Sequence, residues 1–335
     1  ISIVRSVVNS PKLILADEPT SALDDGSCEN ILELIRSFSL ENKSKLIIVT
    51  HDQRLKNKFD DKLDLDLFNK NLDFQLQAGI HAIVLGGSLG EASTLTQDEK
   101  NILTQNTVDF VSNKIPVVVN IAEQSTKEAL KSVKCAEKFG ASGLMVLPPM
   151  RYKSGKKETV EYFEAIANST DLPIMIYNNP VDYGIEVTID MFEKLLKCDN
   201  IKAVKESTRD ISNVTRLKNA YGSRLKIMTG VDTIALESLL MGADGWIAGL
   251  VCAFPEETVA IYKLQSQNKI KEAIEIYRWF LPLLELDINP KLVQNIKLAE
   301  TILGIGSENV RLPRKPLSGK ERENVLEIIN TGIKN

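Results

Sequence analysis

The 335 residues have the composition of a folded protein with a sizeable core, since 43% are hydrophobic and 26% are charged. The net charge of −4 argues against nucleic acid or an anionic membrane surface as the main partner. Four widely separated cysteines and only two histidines argue against a zinc site or a disulfide framework, so we expect reduced thiols, a cytoplasmic protein and no metal. No apolar run reaches the ~18 residues that a membrane-spanning helix needs.

The first part of the chain reads as a small strand–helix–strand unit. LILADEPTSALD (13–24) begins with an apolar strand that ends in two acidic residues, ILELIRSF (31–38) predicts a helix, and KLIIVTHD (45–52) predicts a second strand. These pieces resemble the C-terminal part of an ABC-transporter ATPase domain. In that resemblance Asp17 and Glu18 are the Walker B acids, SALD (21–24) is the D-loop and His51 is the switch histidine.

ATP hydrolysis also needs a glycine-rich loop whose backbone N–H groups and lysine hold the phosphates. No G-x-x-x-x-G-K-[ST] motif occurs in the sequence. We therefore expect residues 1–62 to be a truncated, catalytically inactive ABC-ATPase-like fragment. A gene fusion, a deletion or an assembly artefact could each produce it.

Residues 63–335 alternate short apolar runs with helical patterns. The first helix is predicted at about 66–78 and a helical tail from about 256. Near-continuous apolar stretches of this length are typical of buried parallel strands, and a long series of βα units favours a closed barrel over a doubly wound sheet. The fold class predicted is α/β, a (β/α)₈ TIM barrel with C-terminal helices. The predicted strands are AIVLGG (82–87), PVVVNI (116–121), GLMVLPP (143–149), PIMIYNN (173–179), IKAVKES (201–207), LKIMTG (225–230) and GWIAGL (245–250).

These runs leave a closed barrel one strand short, and an open edge exposes unpaired N–H and C=O groups. The apolar strand nearest upstream of the first helix is KLIIV (45–49). We therefore expect Lys45–Thr50 to pair in parallel with the strands at 82–86 and 245–249, which would bring His51 to the catalytic face without a catalytic role. The alternative is that 1–62 keeps its own packing and the barrel stays open.

Polar motifs follow the predicted strands, at the barrel face where TIM-barrel enzymes carry their chemistry. Their order resembles that of the dihydrodipicolinate synthase and N-acetylneuraminate lyase family, over about 270 residues. The motifs are GGSLGE (86–91), PPMRY (148–152), YNNP (177–180), VKES (204–207), TGVD (229–232) and IAGL (247–250).

Lys205 ends a predicted strand, where alternation places it on the same face as Ala203. A lysine there costs free energy unless it is neutral or paired, and a neutral amine is what attacks a C2 ketone. The resemblance implies that Lys205 is the Schiff-base nucleophile. The alternative is a snorkelling lysine paired with Glu206.

The turn Gly87-Ser88-Leu89 follows the first predicted strand of the barrel. Glycines let the backbone approach a ligand, and N–H groups at a strand-to-helix turn bind a carboxylate. The resemblance implies that this turn holds the carboxylate of a keto acid and that the Ser88 hydroxyl joins a proton relay. Leu89 replaces a second hydroxyl residue, and a plain helix N-terminus is the structural alternative.

The main departure from the family lies at 148–152. The aldolase members carry a proton-transferring tyrosine here, in a run resembling TPYYN, and a gapless alignment places Arg151 in its position. If the strand end is shifted, Tyr152 supplies the phenol as a catalytic residue. Otherwise Arg151 binds a second carboxylate or a hydroxyl-bearing group, or is an exposed loop arginine.

The remaining candidates are substrate-binding residues that the resemblance implies. Tyr177 and Asn178 resemble the segment that lines the site beneath the Schiff base, although a structural role explains Asn178 equally well. Ile247 and Gly249 are expected to form a small wall beside the substrate carboxylate.

Together the motifs imply a class I, cofactor-free lyase that acts on a 2-keto acid such as pyruvate or on a cyclic imino acid. Arginine in place of the tyrosine favours members that eliminate water or ammonia, such as keto-deoxy sugar-acid dehydratases and hydroxypyrroline carboxylate deaminase. The alternative from another class is an inactive fusion remnant. The resemblance also implies a homo-oligomer, a tetramer or a dimer.

Overall fold

The computed structural model describes residues 11–20, 23–42, 44–50, 62–149 and 152–334. The chain divides into two compact units, Ile1–Leu63 and Asp64–Asn335. The division falls one residue beyond the predicted boundary at 62. No helix in the described ranges is long and apolar enough to cross a membrane.

The N-terminal unit contains strand β1 (Leu13–Asp17), helix α1 (Asp25–Glu41) and strand β2 (Lys45–Val49). The two strands pair in parallel, with Leu13 opposite Lys45 and Asp17 opposite Val49. Helix α1 covers them through Cys28 and Leu32. The three predicted elements are therefore confirmed.

The pairing of β1 with β2 shows that the expected use of Lys45–Thr50 as a barrel strand was wrong. The crossover helix α1 makes β1 and β2 neighbours in the chain, and their pairing occupies one edge of each strand within the N-terminal unit. The named alternative, in which the N-terminal segment keeps its own packing, agrees with the structure. His51 lies outside the described residues.

The second unit is built on a curled sheet whose strands follow one another in chain order. Every neighbouring pair is parallel. All seven strands predicted for this unit are confirmed. They are β3 (Ile83–Leu85), β4 (Val117–Ile121), β5 (Gly143–Val146), β6 (Ile174–Asn178), β7 (Ile201–Glu206), β8 (Lys226–Thr229) and β9 (Gly245–Trp246).

The expected closure into an eight-stranded barrel is not found in the described part of the chain, where the sheet has seven strands and β3 and β9 are its two ends. We call the interval between β3 and β9 the seam. Side chains of the helix layer connect its two sides. The Asn71 amide donates to the Cys252 carbonyl at 3.0 Å, and the His81 and Tyr262 rings lie 5.5 Å apart, edge to face.

Helices cover the outer face of the sheet and form the C-terminal tail. The first, α2, begins after the capping Asp64 and ends at Gly79, whose φ of 86° is the left-handed conformation that glycine favours. The predicted first helix and helical tail are confirmed. The helices are α2 (Leu65–Ala78), α3 (Gln97–Val111), α4 (Thr126–Lys138), α5 (Lys156–Ala167), α6 (Pro180–Tyr183), α7 (Ile189–Leu195), α8 (Ile211–Tyr221), α9 (Ala235–Leu240), α10 (Pro255–Ser266), α11 (Ile270–Leu284), α12 (Leu292–Ile302) and α13 (Gly319–Gly332).

Alternation along each strand separates two apolar layers. Val204 lies in the core between the sheet and its helices, whereas Ala203 packs inside the curl of the sheet with Met145, Met175 and Tyr177. The tail helices enclose a third cluster centred on Phe280. The inner layer fixes which side chains at the strand ends face one another.

Candidate active site

Lys205 lies one residue from the end of β7, on the inner face predicted for it. It is opposite Tyr177 of β6 and Met228 of β8 in the strand register. Its Nζ atom lies 4.3 Å from the centroid of the Tyr177 ring, over the ring face. The amine is thus held against an aromatic surface inside the curl of the sheet.

Gly230, the residue after β8, makes room for the Lys205 side chain. A Cβ atom at this position would lie 2.5 Å from Lys205 Cε and 2.3 Å from Ser207 Oγ. Any larger residue would therefore displace the lysine or the serine. The motif TGVD (229–232) does not predict the contact between Gly230 and Lys205, because that contact depends on the packing of β8 against β7.

Glu206 points away from Lys205, into the outer layer. It accepts hydrogen bonds from the Thr208 backbone N–H at 2.8 Å, from the Asn213 amide at 2.9 Å and from the Asn178 amide at 3.2 Å. Burial raises the pKa of Glu206, and these bonds partly offset the rise. Because Glu206 is bound to amide donors on the other face, the alternative of a Lys205–Glu206 ion pair does not describe this structure.

Asn178 is fully buried, and its amide is used within the protein. The side chain accepts from the Val187 N–H at 2.9 Å and donates to the Val187 carbonyl and to Glu206. This arrangement ties β6 to the segment before α7. The structural role anticipated for Asn178 therefore accounts for its hydrogen bonds.

Two further hydroxyl groups join Tyr177 near Lys205. The Tyr183 ring meets the Tyr177 ring edge to face, with centroids 5.7 Å apart. The Tyr183 hydroxyl is hydrogen-bonded to the hydroxyl of Ser88. Sequence reasoning missed Tyr183. The pair Asn179-Pro180 is typical of a helix start and could have indicated it. A helical turn after Pro180 brings Tyr183 back over the end of β6.

The turn after β3 differs from the expected strand-to-helix turn. Residues 88–94 form turns of their own, with the Glu91 N–H donating to the Ser88 carbonyl at 3.3 Å. Helix α3 begins only at Gln97, after a capping box made by Thr96 and Glu99. The Gly87 and Ser88 backbone is thus not at a helix N-terminus. Leu89, predicted to bind substrate, packs against the tail cluster.

In the described part of the segment at 148–152, the Tyr152 phenol is not in contact with the Tyr177 ring or with Lys205. Arg151 lies outside the described residues, and Tyr152 is 56% exposed in a turn. The phenols grouped with Lys205 in the described chain are those of Tyr177 and Tyr183.

The wall at Ile247–Gly249 is held by a buried carboxylate. Asp232 accepts hydrogen bonds from the Leu250 N–H and the Trp246 indole, both at 2.9 Å, and from the Gly249 N–H at 3.2 Å. Ile247 packs with the inner apolar layer. Each donor fixes the path of the chain after β9, which positions this wall.

Asp287 of the tail covers Gly249, and sequence reasoning missed it. A Cβ atom at Gly249 would lie 1.8 Å from an Asp287 carboxyl oxygen, so any side chain here would have to displace that carboxyl group. Burial raises the pKa of Asp287 and Asp232 raises it further, while Lys205 lowers it. A carboxyl that favours its protonated form thus shares the electrostatic environment of the lysine.

An inward lysine at the carboxyl end of a parallel strand, grouped with phenols, a serine hydroxyl and a buried carboxyl, is an arrangement that suits the Schiff-base class of lyases. Residues 55–331 match the dihydrodipicolinate synthetase family. The chain belongs to this family and is a class I lyase.

Curated relatives and solved structures agree with this assignment. The 4-hydroxy-tetrahydrodipicolinate synthase of Alkaliphilus oremlandii is 30% identical over 269 residues, which cover 79% of this chain and 92% of the relative. The enzyme of the same name from Rickettsia bellii is 30% identical over 275 residues, covering 81% and 92%.

Among solved structures, dihydrodipicolinate synthase from Aquifex aeolicus has a TM-score of 0.78 at 26% identity and covers 81% of this chain and 93% of its own. A monomeric dihydrodipicolinate synthase variant has a TM-score of 0.76 at 28% identity, covering 81% and 92%.

Proposed function

We propose that Lys205 forms a Schiff base with the C2 carbonyl of a 2-keto acid such as pyruvate, or with a cyclic imino acid. The observation that carries the proposal is the position of its Nζ, over the Tyr177 ring in a space kept open by Gly230. The names of the curated relatives support synthase chemistry on such a substrate.

The proposed reaction uses the lysine as an electron sink. With a keto acid, the unprotonated amine adds to C2 and water leaves; with a cyclic imino acid, the ring nitrogen leaves C2 as the amine. The resulting iminium withdraws electrons so that a C3 proton can be removed. The enamine then attacks an electrophile through C3. Ser88 and Tyr177 offer hydroxyl groups for the proton transfers, while Gly87, Ile247 and Gly249 line the space for the substrate carboxylate.

Borohydride reduction in the presence of pyruvate tests this assignment. We expect reduction to add the mass of the reduced pyruvate adduct to a peptide that contains Lys205, and we expect Lys205→Ala to abolish both trapping and turnover. The matched control is Lys202→Ala, since Lys202 lies on the same strand with an exposed side chain. Labelling at a different lysine would refute the role of Lys205.

A second candidate is elimination of water or ammonia from a keto-deoxy sugar acid or a hydroxypyrroline carboxylate. It is supported by Arg151 in place of the tyrosine and by Asp287, since a carboxyl with a raised pKa can protonate a leaving group. Two assays separate the candidates. One measures the keto-acid product released from these substrates, and the other measures the condensation of pyruvate with an aldehyde. Product from neither reaction would favour an inactive remnant.

For the remainder of the chain, we infer that residues 1–62 are an ABC-ATPase-like fragment without nucleotide chemistry and that 63–335 carry the lyase. We also infer a cytoplasmic homo-oligomer, a tetramer or a dimer. The described units support the first inference and the unpaired cysteines fit the location. A single species of 37.2 kDa in light scattering would contradict assembly, and the monomeric variant among the structural neighbours makes that measurement informative.

A further inference from the structure

The turn that carries Gly87 and Ser88 follows a strand with little support of its own. In the described chain β3 has three residues and one strand neighbour, β4. From the β4 side, the Asn120 amide donates to the Gly86 carbonyl at 2.7 Å. Because no strand of the described chain lies on the other side of β3, the position of the turn depends on what else holds it.

Glu91 connects this turn to the C-terminal tail. Its carboxylate accepts hydrogen bonds from Lys297 Nζ and from the Arg311 backbone N–H, both at 3.1 Å, and the Arg314 guanidinium lies 3.9 Å from it. The first two partners are 206 and 220 positions from Glu91 in sequence. The Glu91 side chain is only 12% exposed, so its ion pair with Lys297 is screened less by solvent and salt than an ordinary surface pair.

Arg311 also holds the far end of the turn. Its guanidinium donates to the Thr94 carbonyl at 3.2 Å and to the Glu99 carboxylate at 2.7 Å. The hydrogen bond from Arg311 is the main reason that the pKa of Glu99 falls to about 2, so this pair is charged at neutral pH. The tail therefore binds the turn at two points, Glu91 and Thr94.

Within the turn, the Glu91 backbone is connected to the residues proposed to line the carboxylate space. The Glu91 N–H donates to the Ser88 carbonyl, and the Ala92 N–H donates to the Gly87 carbonyl, both at 3.3 Å. The Glu91 backbone has φ of 54°, a left-handed conformation that residues other than glycine rarely adopt and that surrounding contacts must hold. A change at the Glu91 carboxylate therefore alters the placement of Gly87 and Ser88.

We propose that Glu91 is a positioning residue, which sets the affinity of the site for the substrate carboxylate by fixing Gly87 and Ser88 against the tail. The proposal rests on the Schiff-base function of Lys205. Glu91 acts through the turn, because both of its carboxylate oxygens are already bound to the tail. Lys205 is held separately, by β7 and its neighbouring strands. Loss of the Glu91–Lys297 ion pair therefore weakens substrate binding and leaves the reactivity of the amine unchanged.

The test measures the rate of borohydride trapping at Lys205 in the full chain as a function of pyruvate concentration. Glu91→Gln keeps the shape of the side chain and removes its charge, while Lys297→Met keeps the aliphatic stem and removes the ammonium group. In each variant we expect the pyruvate concentration for half-maximal trapping to rise about tenfold, which corresponds to the loss of one hydrogen bond of ordinary strength. The maximal rate should stay within about twofold of wild type, since loss of uniform binding leaves the chemical step unchanged.

The double variant tests whether the two residues act as one pair. Because each substitution removes the same interaction, Glu91→Gln/Lys297→Met should show the same rise as either single variant. The matched control is Lys291→Met, which removes an ion pair of 2.6 Å with Glu321 within the tail. This control should keep the wild-type concentration for half-maximal trapping.

A non-additive rise in the half-maximal concentration, with an unchanged maximal rate, supports the positioning role of Glu91. An unchanged half-maximal concentration in Lys297→Met overturns it, and so does a fall in the maximal rate alone or an additive double variant. If Glu91→Gln fails to fold, Lys297→Met decides by itself. A wild-type protein that shows no trapping at Lys205 refutes the Schiff-base function, whereas normal trapping in wild type and in every variant refutes the positioning role alone.

Discussion

At the residue scale, the position of Lys205 depends on what its neighbours leave unoccupied. Gly230 leaves room for the Lys205 side chain because it has no side chain of its own. The Asp287 carboxyl group, from the C-terminal tail, packs directly against Gly249. Both glycines are required by close approach and not by unusual backbone angles. We therefore expect a substitution at either position to displace the side chains of the site.

We predict that Gly230→Ala displaces Lys205, since the new Cβ would lie 2.5 Å from its Cε atom. Misplacing a reacting group by about 1 Å costs about 100-fold in rate. The rate of borohydride trapping should fall by about that factor, as measured by mass spectrometry. Gly155→Ala is the control, because its Cβ would meet only the Glu158 carboxylate at 3.7 Å. Equal trapping rates in the two variants would contradict the prediction.

At the element scale, α12 carries a half-buried acid that packs against the turn that follows the helix. Glu300 lies against Gly306, where an added Cβ would be 2.5 Å from the Glu300 Cβ. Burial raises the pKa of Glu300 from 4.5 to about 7, with Lys297 acting against the rise and Glu91 adding to it. The protonated acid is therefore the form that suits the packed helix.

This raised pKa predicts a pH-dependent stability. The folded protein binds this proton more tightly than the unfolded chain, so the stabilisation is fully present below pH 4.5 and is lost as the pH rises through about 7. The slope is at most about 1.4 kcal/mol per pH unit. Glu300→Gln should remove it. Urea unfolding followed by the fluorescence of Trp246 and Trp279, both in the second unit, measures the slope at pH 5, 6 and 7.

The exposed Glu285→Gln serves as the control and should retain the wild-type slope. A Glu300→Gln slope equal to that of wild type would show that the acid is not responsible.

Sequence patterns predicted the strands of both units and the lysine because each depends on local order. Alternation along IKAVK places Lys205 on the same face as Ala203, and the family resemblance implied that this face carries the chemistry. Tyr183 and Asp287 reach the site through contacts between segments distant in sequence, which no local pattern encodes. The pairing of β2 was mispredicted for a related reason. Both β1 and the barrel strands are apolar and can pair in parallel with β2, so the sequence pattern does not decide between them.

At the scale of the whole molecule, two units of different construction share one chain. The first pairs two strands under one helix, and the second surrounds a curled sheet with helices. The sequence of the first contains the acidic pair Asp17 and Glu18 but no phosphate-binding glycine loop. The catalytic groups proposed here all belong to the second unit.

We predict that the full chain does not bind Mg-ATP. Phosphate recognition needs backbone N–H groups arranged around the β- and γ-phosphates, and the motif that supplies them is missing from the sequence. Isothermal titration calorimetry should record no heat beyond dilution. Micromolar affinity would overturn the prediction, and an Asp17→Ala variant would then show whether Asp17 takes part in binding.

The seam makes β3 and β9 the least constrained strands of the sheet. In the described chain each has one strand neighbour, whereas the strands between them are hydrogen-bonded on both sides. We therefore expect the backbone amides at 83–85 and 245–246 to exchange with solvent faster than those of the inner strands. Gly87 and Ser88 follow one of these strands, and Ile247 follows the other. A displacement of either strand would therefore shift one side of the substrate space, so the width of the site depends on how firmly the two ends of the sheet are held.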